Sequence, residues 1–352
     1  MAAAGRLHCG PPGAFNCPMF KKTLVILGIV GAVLVIIGFI LPRTAHVERT
    51  LVIDRPPSVL FATVNSFQLF PQWSPWQMLD PHMHQSTQGP REGVGAKLIW
   101  SGNDKVGTGT QTITASAVNG FVASDLDFGK MGVAKSKITL APEAPGTRVT
   151  WALDSDMGAS PIGHYFGLLM DGMIGKDFET GLSRLKTLTE RMPNVDIAGF
   201  QAELVDMRSV PVLVVSESTS TDAPSISKAY AEGYGKISHF MAKNQLHQAG
   251  APFGIDGGIN GASFAFQAGI PIDRGDMPGD GTVLVAQSYG GKALKTTHTG
   301  PYDTLAKTYD KFRAYLIAHA YTPAGGAISW YVDDPATTAA DKLRTEIYWP
   351  IR

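Results

Sequence analysis

The longest uniform stretch in the hydrophobic pattern is an apolar run of nineteen residues without a charge, at positions 23–41. At about 1.5 Å of rise per residue this run forms a helix of about 28 Å, close to the hydrocarbon thickness of a bilayer. Lys21 and Lys22 precede it, and Pro42 ends it because proline cannot continue the hydrogen bonding of a helix. We therefore predict a membrane-spanning helix over residues 23–41 and contact with a lipid bilayer.

A cleaved signal peptide is the main alternative for this run. Signal peptides usually have an apolar core of about 7–15 residues followed by a small-x-small cleavage site. The run is longer, and no such site follows Leu41. An uncleaved anchor is therefore the favoured interpretation.

The residues before the anchor, 1–22, lack periodicity and are rich in glycine, alanine and proline, which predicts a disordered tail. Met19 is followed by Phe-Lys-Lys, as at a natural amino terminus, so translation starts at Met1 or at Met19. Three basic residues stand before the span and two after it: Arg6, Lys21, Lys22, Arg43 and Arg49. By the positive-inside rule we expect a single-pass membrane protein with a cytoplasmic amino terminus and both domains outside.

After the anchor, residues 45–192 change to a period of two. Residues 46–53 begin with alternation and are rich in β-forming side chains, and Pro56-Pro57-Ser58 then opens a helix. An aromatic loop is predicted after this helix, at residues 70–76. Five strand-like runs separated by turn residues follow: 95–101, 109–117, 124–128, 134–141 and 148–154. A long helix over residues 164–190 closes the segment, because apolar side chains recur there at three- and four-residue steps.

This order of strand, helix, antiparallel meander and long helix resembles the START-like, or SRPBCC, helix-grip domains. The opening HVERTLVIDRPPSVLFATVNSFQLFPQWSPW is similar to that of membrane-anchored members described as polyketide-cyclase-like. The resemblance implies a cavity between the curved sheet and the long helix, usually for an apolar ligand. Four tryptophans are candidates for its lining, with ordinary core positions as the alternative: Trp73, Trp76, Trp100 and Trp151.

Metal and cofactor chemistry has little support in the sequence. His82 and His84 lie in a polar stretch without a clear third ligand, so we expect no metal site and no cofactor. Both cysteines, Cys9 and Cys17, precede the anchor, which excludes disulfides and thiolate metal sites after it.

Residues 200–352 show an internal repeat after a short connector. A strand over 210–218, a helix over 225–247 and a strand over 261–271 form the first half. The second half comprises these segments: a strand over 281–297, a helix over 302–319, and strands over 329–332 and 345–350. Two halves of about 75 residues sharing one antiparallel sheet leave a groove between their helices, a natural ligand site. The predicted fold class is thus α+β: a transmembrane helix, a helix-grip domain and a duplicated strand-helix-strand domain.

Three short motifs in the second half resemble the GyrI-like domain, the effector-binding module also found in AraC-type and multidrug-responsive MerR-type regulators. They are THTGPYDTL at 297–305, YVDDP at 331–335 and TEIYWPI at 345–351. The resemblance implies a glutamate on the last strand, within a Glu-x-Tyr-x-Pro motif, that points into a pocket with aromatic walls. The matching residue is Glu346.

Strand periodicity alone also singles out Glu346. It places Glu346 and Tyr348 on one side of the last strand and Ile347 and Trp349 on the other. A carboxylate within an apolar strand is costly to bury unless it is paired, so it meets a cationic ligand, a partner side chain or water. Further candidates for the walls are aromatic: Tyr302, Tyr289 and Trp330.

Alternatives remain for this glutamate. It is either a surface glutamate on an edge strand or a glutamate paired with Arg344 or Lys342. The resemblance also extends to GyrI-like hydrolases, in which Glu346 would act as a base with Tyr348 or Tyr302 as the positioning group. No nucleophile elbow or catalytic triad order supports an enzyme, and we expect His298 to be a polar turn residue.

The charge balance excludes the strongly basic class of nucleic-acid binders. Lysines and arginines number 30, and so do the acids. We expect no nucleic-acid partner, because a START-like domain and an anchor stand where the regulators carry a DNA reader. The predicted function is binding or sensing of a small amphipathic or cationic molecule near the membrane. A hydrolase and a scaffold with vestigial pockets are the alternatives.

Overall fold

The computed structural model describes residues 18–352, without the side chains of residues 18–21 and 131. Most of the predicted tail and both cysteines therefore lie outside the described residues. Helix α1 (Pro18–Ile40) begins five residues before the predicted span. Its segment Lys22–Ile40, with a mean hydropathy of 3.0, has the length and composition needed to cross a membrane. Within this segment only Gly38 is buried.

The next part of the chain forms a seven-stranded antiparallel sheet. Its strands are β1 (Thr44–Ile53), β2 (His84–Gln88), β3 (Lys97–Ser101), β4 (Thr108–Ala117), β5 (Phe121–Asp127), β6 (Val133–Glu143) and β7 (Gly146–Asp156). Their order is β1-β7-β6-β5-β4-β3-β2. The helices are α2 (Pro57–Val64), α3 (Phe70–Trp73), α4 (Trp76–Leu79), α5 (Pro161–Gly167) and α6 (Met170–Thr189). Helix α6 covers one face of the sheet, where Phe178, Leu182 and Leu185 join its core.

Three features of this domain differ from the sequence-based expectation. The segment of His84, predicted as a loop, is edge strand β2, whose polar and exposed side chains give no hydrophobic alternation. The predicted aromatic loop at residues 70–76 contains the short helices α3 and α4. The predicted single helix over 164–190 is two helices, α5 and α6, which are separated at Leu168 and Leu169.

The carboxy-terminal part forms an eight-stranded sheet. Its strands are β8 (Glu203–Met207), β9 (Pro211–Ser220), β10 (Phe253–Asn260), β11 (Ser263–Pro271), β12 (Leu284–Gln287), β13 (Gly291–Thr299), β14 (Ile328–Tyr331) and β15 (Arg344–Pro350). The order is β12-β9-β11-β10-β14-β15-β13-β8, with all pairs antiparallel. Strands β8 and β10 were not predicted, and the predicted strand 281–297 is divided into β12 and β13.

Two long helices, α7 (Ala223–Asn244) and α8 (Leu305–Ala318), pack on the same face of this sheet. Ile237 of α7 joins a core cluster with Leu213 and Val215 of β9. Phe312 of α8 joins a second cluster with Ile347 of β15. The opposite face therefore carries the alternate residues of these strands, and none of the long helices described for residues 18–352 packs on it.

The two ends of the second sheet meet, so that the sheet curls around its helix-free face. Edge strand β8 reaches β9, near the other end, after only three residues. In this connection the backbone N–H of Val210 donates to Ser288 Oγ at 3.0 Å, and Ser209 Oγ donates to the Ser288 carbonyl at 2.8 Å. Val212 and Phe253 are almost fully buried on the concave face. The curl therefore creates an interior that a flat sheet would lack.

The two domains contact each other through α2 and α8. Val59 and Ala62 of α2 share a buried cluster with Ala314 and Ala318 of α8, where the small alanine side chains allow close approach. Nearby, the Arg91 guanidinium donates to the His319 and Ala320 carbonyls at 2.8 and 2.9 Å. A cation is favourable at this carboxy-terminal helix end because the last carbonyls lack helical donors.

The same interface predicts a dependence of stability on pH. His319 Nδ1 lies 2.7 Å from Glu92 Oε2, and this hydrogen bond lowers the pKa of Glu92 from its usual value. A lowered pKa stabilises the fold above the unfolded value of about 4.3, and the contribution is lost as pH falls through the folded pKa. Because the pair is partly exposed, we expect Glu92→Gln to cost less than about 1 kcal/mol at pH 7 and almost nothing below the folded pKa of Glu92.

Urea unfolding of the full-length protein in detergent, compared between acid and neutral pH, measures this difference. Glu232→Gln is the matched control, since Glu232 pairs with Lys228 within α7 and not across the interface. An identical pH profile for wild type and Glu92→Gln would show that the pair contributes nothing.

Candidate functional site

A cleft of about 490 Å³ opens on the concave face of the second sheet, at its β14-β15-β13-β8 end. Its apolar wall includes Trp330, Val205 and Met207. Its charged lining comprises three carboxylates and two cationic side chains: Glu203, Asp206, Glu346, Lys295 and Arg208. The cleft thus combines an apolar surface with charged side chains of both signs, and one of its carboxylates, Asp206, is paired with Lys292 outside the lining.

Strand register places Glu346 at this cleft. Glu346 lies opposite Trp330 of β14 and opposite Thr297 of β13, while Tyr348 lies opposite Lys295. Directly opposed residues of antiparallel strands share a face of the sheet. The four side chains Glu346, Tyr348, Trp330 and Lys295 therefore project from the concave face.

Glu346 is held by two neighbours. Lys295 Nζ lies 2.8 Å from Glu346 Oε1, and the Tyr348 hydroxyl donates to Glu346 Oε2 at 2.7 Å. Burial raises the pKa of Glu346, but the hydrogen bonds from Lys295 and Tyr348 outweigh it and leave this pKa below its usual value. The hydrogen bond to Glu346 also raises the pKa of Lys295. The pair is therefore ionised at neutral pH.

Lys295 is the functional residue that sequence reasoning missed. The sequence suggested Arg344 or Lys342 as the partner of Glu346, but the partner is Lys295. Arg344 instead binds Asp333 at 2.8 Å. Lys295 lies on β13 and reaches Glu346 only through the β13–β15 register. It is an internal cation in the position predicted for a cationic ligand.

The predicted aromatic wall residues lie on different faces. The Trp330 ring centroid is 4.8 Å from that of Phe253, and its buried Nε1 has no hydrogen-bond partner among residues 18–352 as described. Tyr289 packs against the same concave cluster, and its hydroxyl donates to the Lys292 carbonyl at 2.9 Å. Tyr302 is on the helix side, with its ring 5.4 Å from Tyr331. Trp330 shares the concave face with Glu346, and Tyr331, the next residue of β14, points to the opposite face. Tyr302 contacts Tyr331 and is therefore separated from Glu346 by the sheet.

Tyrosines fill the space between the two helices where a groove was predicted, and Glu346 lies on the opposite face of the sheet. Tyr230 of α7 and Tyr331 of β14 have ring centroids 6.2 Å apart. Tyr309 of α8 contacts Ser329 through their hydroxyls, and burial raises the pKa of Tyr309 to about 12. These phenols are neutral at physiological pH and act as packing groups.

His298 connects β13 to the following helix. Its Nδ1 lies 2.8 Å from Thr308 Oγ1 and its Nε2 3.2 Å from Thr304 Oγ1. It is 8% exposed and faces away from Glu346, because alternation on β13 places it on the helix side. His298 also borders a polar groove of about 920 Å³ between the connector, β13 and α8, which sequence reasoning did not predict.

Three of the four candidate tryptophans form one aromatic core in the first domain. Trp151 stacks on Phe178 at 4.1 Å, and its Nε1 donates to Ser136 Oγ at 3.0 Å. Trp73 and Trp76 meet the Trp151 ring edge-on at 5.4 and 5.8 Å.

The remaining candidates of the first domain lie apart from this core. Trp100 is on β3 and contacts Phe128 at 5.8 Å. His82 and His84 are exposed. Residues 18–352, as far as they are described, contain no cluster of three or more His, Cys, Asp or Glu suited to a metal.

Two family models match the chain, one for each domain. Residues 44–190 match the family described as polyketide cyclase / dehydrase and lipid transport. Residues 201–352 match the GyrI-like small molecule binding domain. Both resemblances proposed from sequence motifs are thereby confirmed.

Three solved structures that are similar to the chain each cover less than half of it. The EcmrR C-terminal domain is 16% identical with a TM-score of 0.39, covering 43% of this chain and 97% of that one. SAV2435 bound to tetraphenylphosphonium is 14% identical with a TM-score of 0.33, covering 44% and 94%. A hydrolase from Listeria innocua is 11% identical with a TM-score of 0.32, covering 43% and 92%. A comparison with curated proteins gave no match.

Proposed function

Since the chain joins a polyketide cyclase-type domain to a GyrI-like small molecule binding domain, we propose that it is a membrane-anchored binding protein for small amphipathic cations. Helix α1 is the proposed anchor, with the amino terminus in the cytoplasm and both domains outside. The cleft at Glu346 is the proposed cation site. For the first domain the proposed ligand is an apolar molecule held between the sheet and α6, in keeping with the lipid transport in its family description.

The observation that carries this proposal is the partly buried carboxylate of Glu346 in a cleft with an apolar wall. A carboxylate in such surroundings requires a positive partner, and in the present structure Lys295 is that partner. Trp330 and Tyr348 border the same position, and aromatic faces attract cations.

Ligand uptake then requires Lys295 to exchange one carboxylate for another. Glu203 of β8 lies directly opposite Lys295 in the β13–β8 register. The lysine side chain is flexible, so its ammonium group can turn from Glu346 to Glu203 while a ligand cation takes its place.

Thermal unfolding of the full-length protein in detergent micelles tests the cation site. Tetraphenylphosphonium and tetraphenylborate have nearly the same shape and opposite charges, so together they separate charge recognition from apolar partitioning. A ligand that binds only the native state stabilises it, by about 2.7 kcal/mol at a hundred times its Kd. We expect the cation to raise Tm, the anion to have little effect, and Glu346→Gln to remove the shift. Equal shifts with both ions, or a shift that persists in Glu346→Gln, would contradict the proposed site.

A further inference from the structure

A compact group of apolar side chains is exposed on α5 and at the start of α6. We call it the α5 patch, and it consists of Ile162, Phe166, Leu168, Leu169 and Met173. Ile162 is 80% exposed and the other four are 49–60% exposed. Ile162 and Phe166 are four residues apart on α5, which brings them to one side of this helix. A contiguous apolar surface of this kind marks a binding surface rather than ordinary solvent exposure.

The α5 patch is attached directly to the proposed anchor. His164 Nδ1 lies 2.7 Å from the Gly38 carbonyl oxygen, and the Tyr165 hydroxyl donates to the Leu34 carbonyl at 2.7 Å. The Gly38 carbonyl would bond the N–H of residue 42 in a continuing helix, but Pro42 has none. The imidazole N–H of His164 therefore supplies a donor that the sequence removes from α1.

Close packing fixes α5 in this place. A side chain at Gly38 would meet Pro161 Cβ at 2.6 Å, so only glycine allows the two helices to approach this closely. His164 is itself 6% exposed. Helix α5 thus lies against the last two turns of α1, with Ile162 and Phe166 exposed.

The hydrogen bond from Tyr165 to the Leu34 carbonyl fixes how deep α5 would lie in a bilayer that α1 crosses. Leu34 precedes Leu41, at the end of the apolar run, by seven residues, which is about 10 Å along a helix. Amphipathic helices at membrane interfaces bury their apolar faces about 5–10 Å into the boundary between headgroups and acyl chains. If α1 crosses a bilayer, α5 is held at the boundary between the lipid headgroups and the acyl chains.

Strand register brings a second apolar group to the same end of the first sheet. Thr44, at the start of β1, pairs with Asp156, and Ala134 of β6 pairs with Ser155. The turn between β5 and β6 therefore lies at the end of the sheet where α1 enters. Val133, which is 58% exposed, is at this turn.

We propose that the α5 patch is embedded in the lipid of the bilayer that α1 crosses, so that the first domain rests on the membrane surface through a second, interfacial anchor. The inference rests on the proposed anchoring by α1. It commits to acyl chains and headgroups as the occupant, because the patch is continuous with the anchor and lies at interfacial depth.

Spin labelling of the full-length protein in phosphatidylcholine–phosphatidylglycerol vesicles tests this placement. With Cys9 and Cys17 replaced by serine, single cysteines are introduced at Ile162, Ile29 and Val118 and labelled with a nitroxide. Val118 is the matched control, since it is also 80% exposed but lies between β4 and β5, at the opposite end of the sheet. Accessibility to oxygen, which enters lipid, and to a water-soluble nickel chelate is measured by power saturation.

We expect the label at residue 162 to be accessible to oxygen and several-fold less accessible to the nickel chelate than the label at residue 118. A water-exposed label at 162 together with a lipid-exposed label at 29 overturns the inference and leaves the anchor intact. Water exposure at both positions overturns the anchor as well. A label at 162 that neither reagent reaches shows a protein contact in place of lipid, and this also overturns the inference.

Discussion

Replacing Trp151 with alanine should lower the free energy of unfolding of the first domain by about 3–5 kcal/mol. Trp151 is 3% exposed and stacks on Phe178 of α6, so its removal separates the sheet from the helix that covers it. The loss also leaves the Ser136 hydroxyl without its indole donor in a buried position. Both effects act in the same direction.

Hydrogen exchange of the β6 and β7 amides in the full-length protein measures this loss without depending on tryptophan fluorescence. Trp100→Ala is the matched control and should cost clearly less, since Trp100 is only partly buried at the edge of the hydrophobic core and its ring contacts Phe128. A loss below about 1 kcal/mol for Trp151→Ala would mean that the ring borders open space, as the cavity interpretation requires.

Replacing Lys295 with methionine should strengthen tetraphenylphosphonium binding by about tenfold to a hundredfold. Lys295 competes with the ligand for Glu346, and a hydrogen bond to a charged group contributes about 1.5–3 kcal/mol. Methionine keeps most of the aliphatic stem and removes the ammonium group. The carboxylate of Glu346 is then free for the ligand, with Tyr348 still donating to it.

Isothermal titration of the solubilised full-length protein gives the affinities. Lys307→Met is the matched control, because Lys307 is exposed on α8 and does not line the cleft. Adding Glu346→Gln to Lys295→Met should abolish the gain. If Lys295→Met instead weakens cation binding, the ion pair stabilises the cleft and does not compete with the ligand.

Local patterns predicted the elements of the site better than their arrangement. Alternation along β15 placed Glu346 and Tyr348 on one face, because side-chain direction in a strand depends only on neighbouring residues. The pairing of Glu346 with Lys295 depends on the register of two strands that are distant in sequence. Tyr302 was grouped with Glu346 for its aromatic ring, but its position after β13 turns it to the helix side.

The differences between the predicted and the observed fold also arise where structure depends on contacts between segments that are distant in sequence. Strand β2 is polar and pairs at an edge, so neither hydrophobic alternation nor apolar content marks it. The apolar period of residues 164–190 continues through the break between α5 and α6. The position of α5 depends on its contacts with α1, a helix more than 100 residues earlier in the chain.

The link between α1 and the first sheet is only three residues long, since α1 ends at Ile40 and β1 begins at Thr44. Arg43 within it is tied to Asp156 by an ion pair, and the Arg43 carbonyl accepts from the Met157 N–H at 2.9 Å. A domain on so short a tether has little freedom to swing or travel. With α1 in a bilayer, the first domain would stay at one membrane surface, and the protein would not shuttle between compartments.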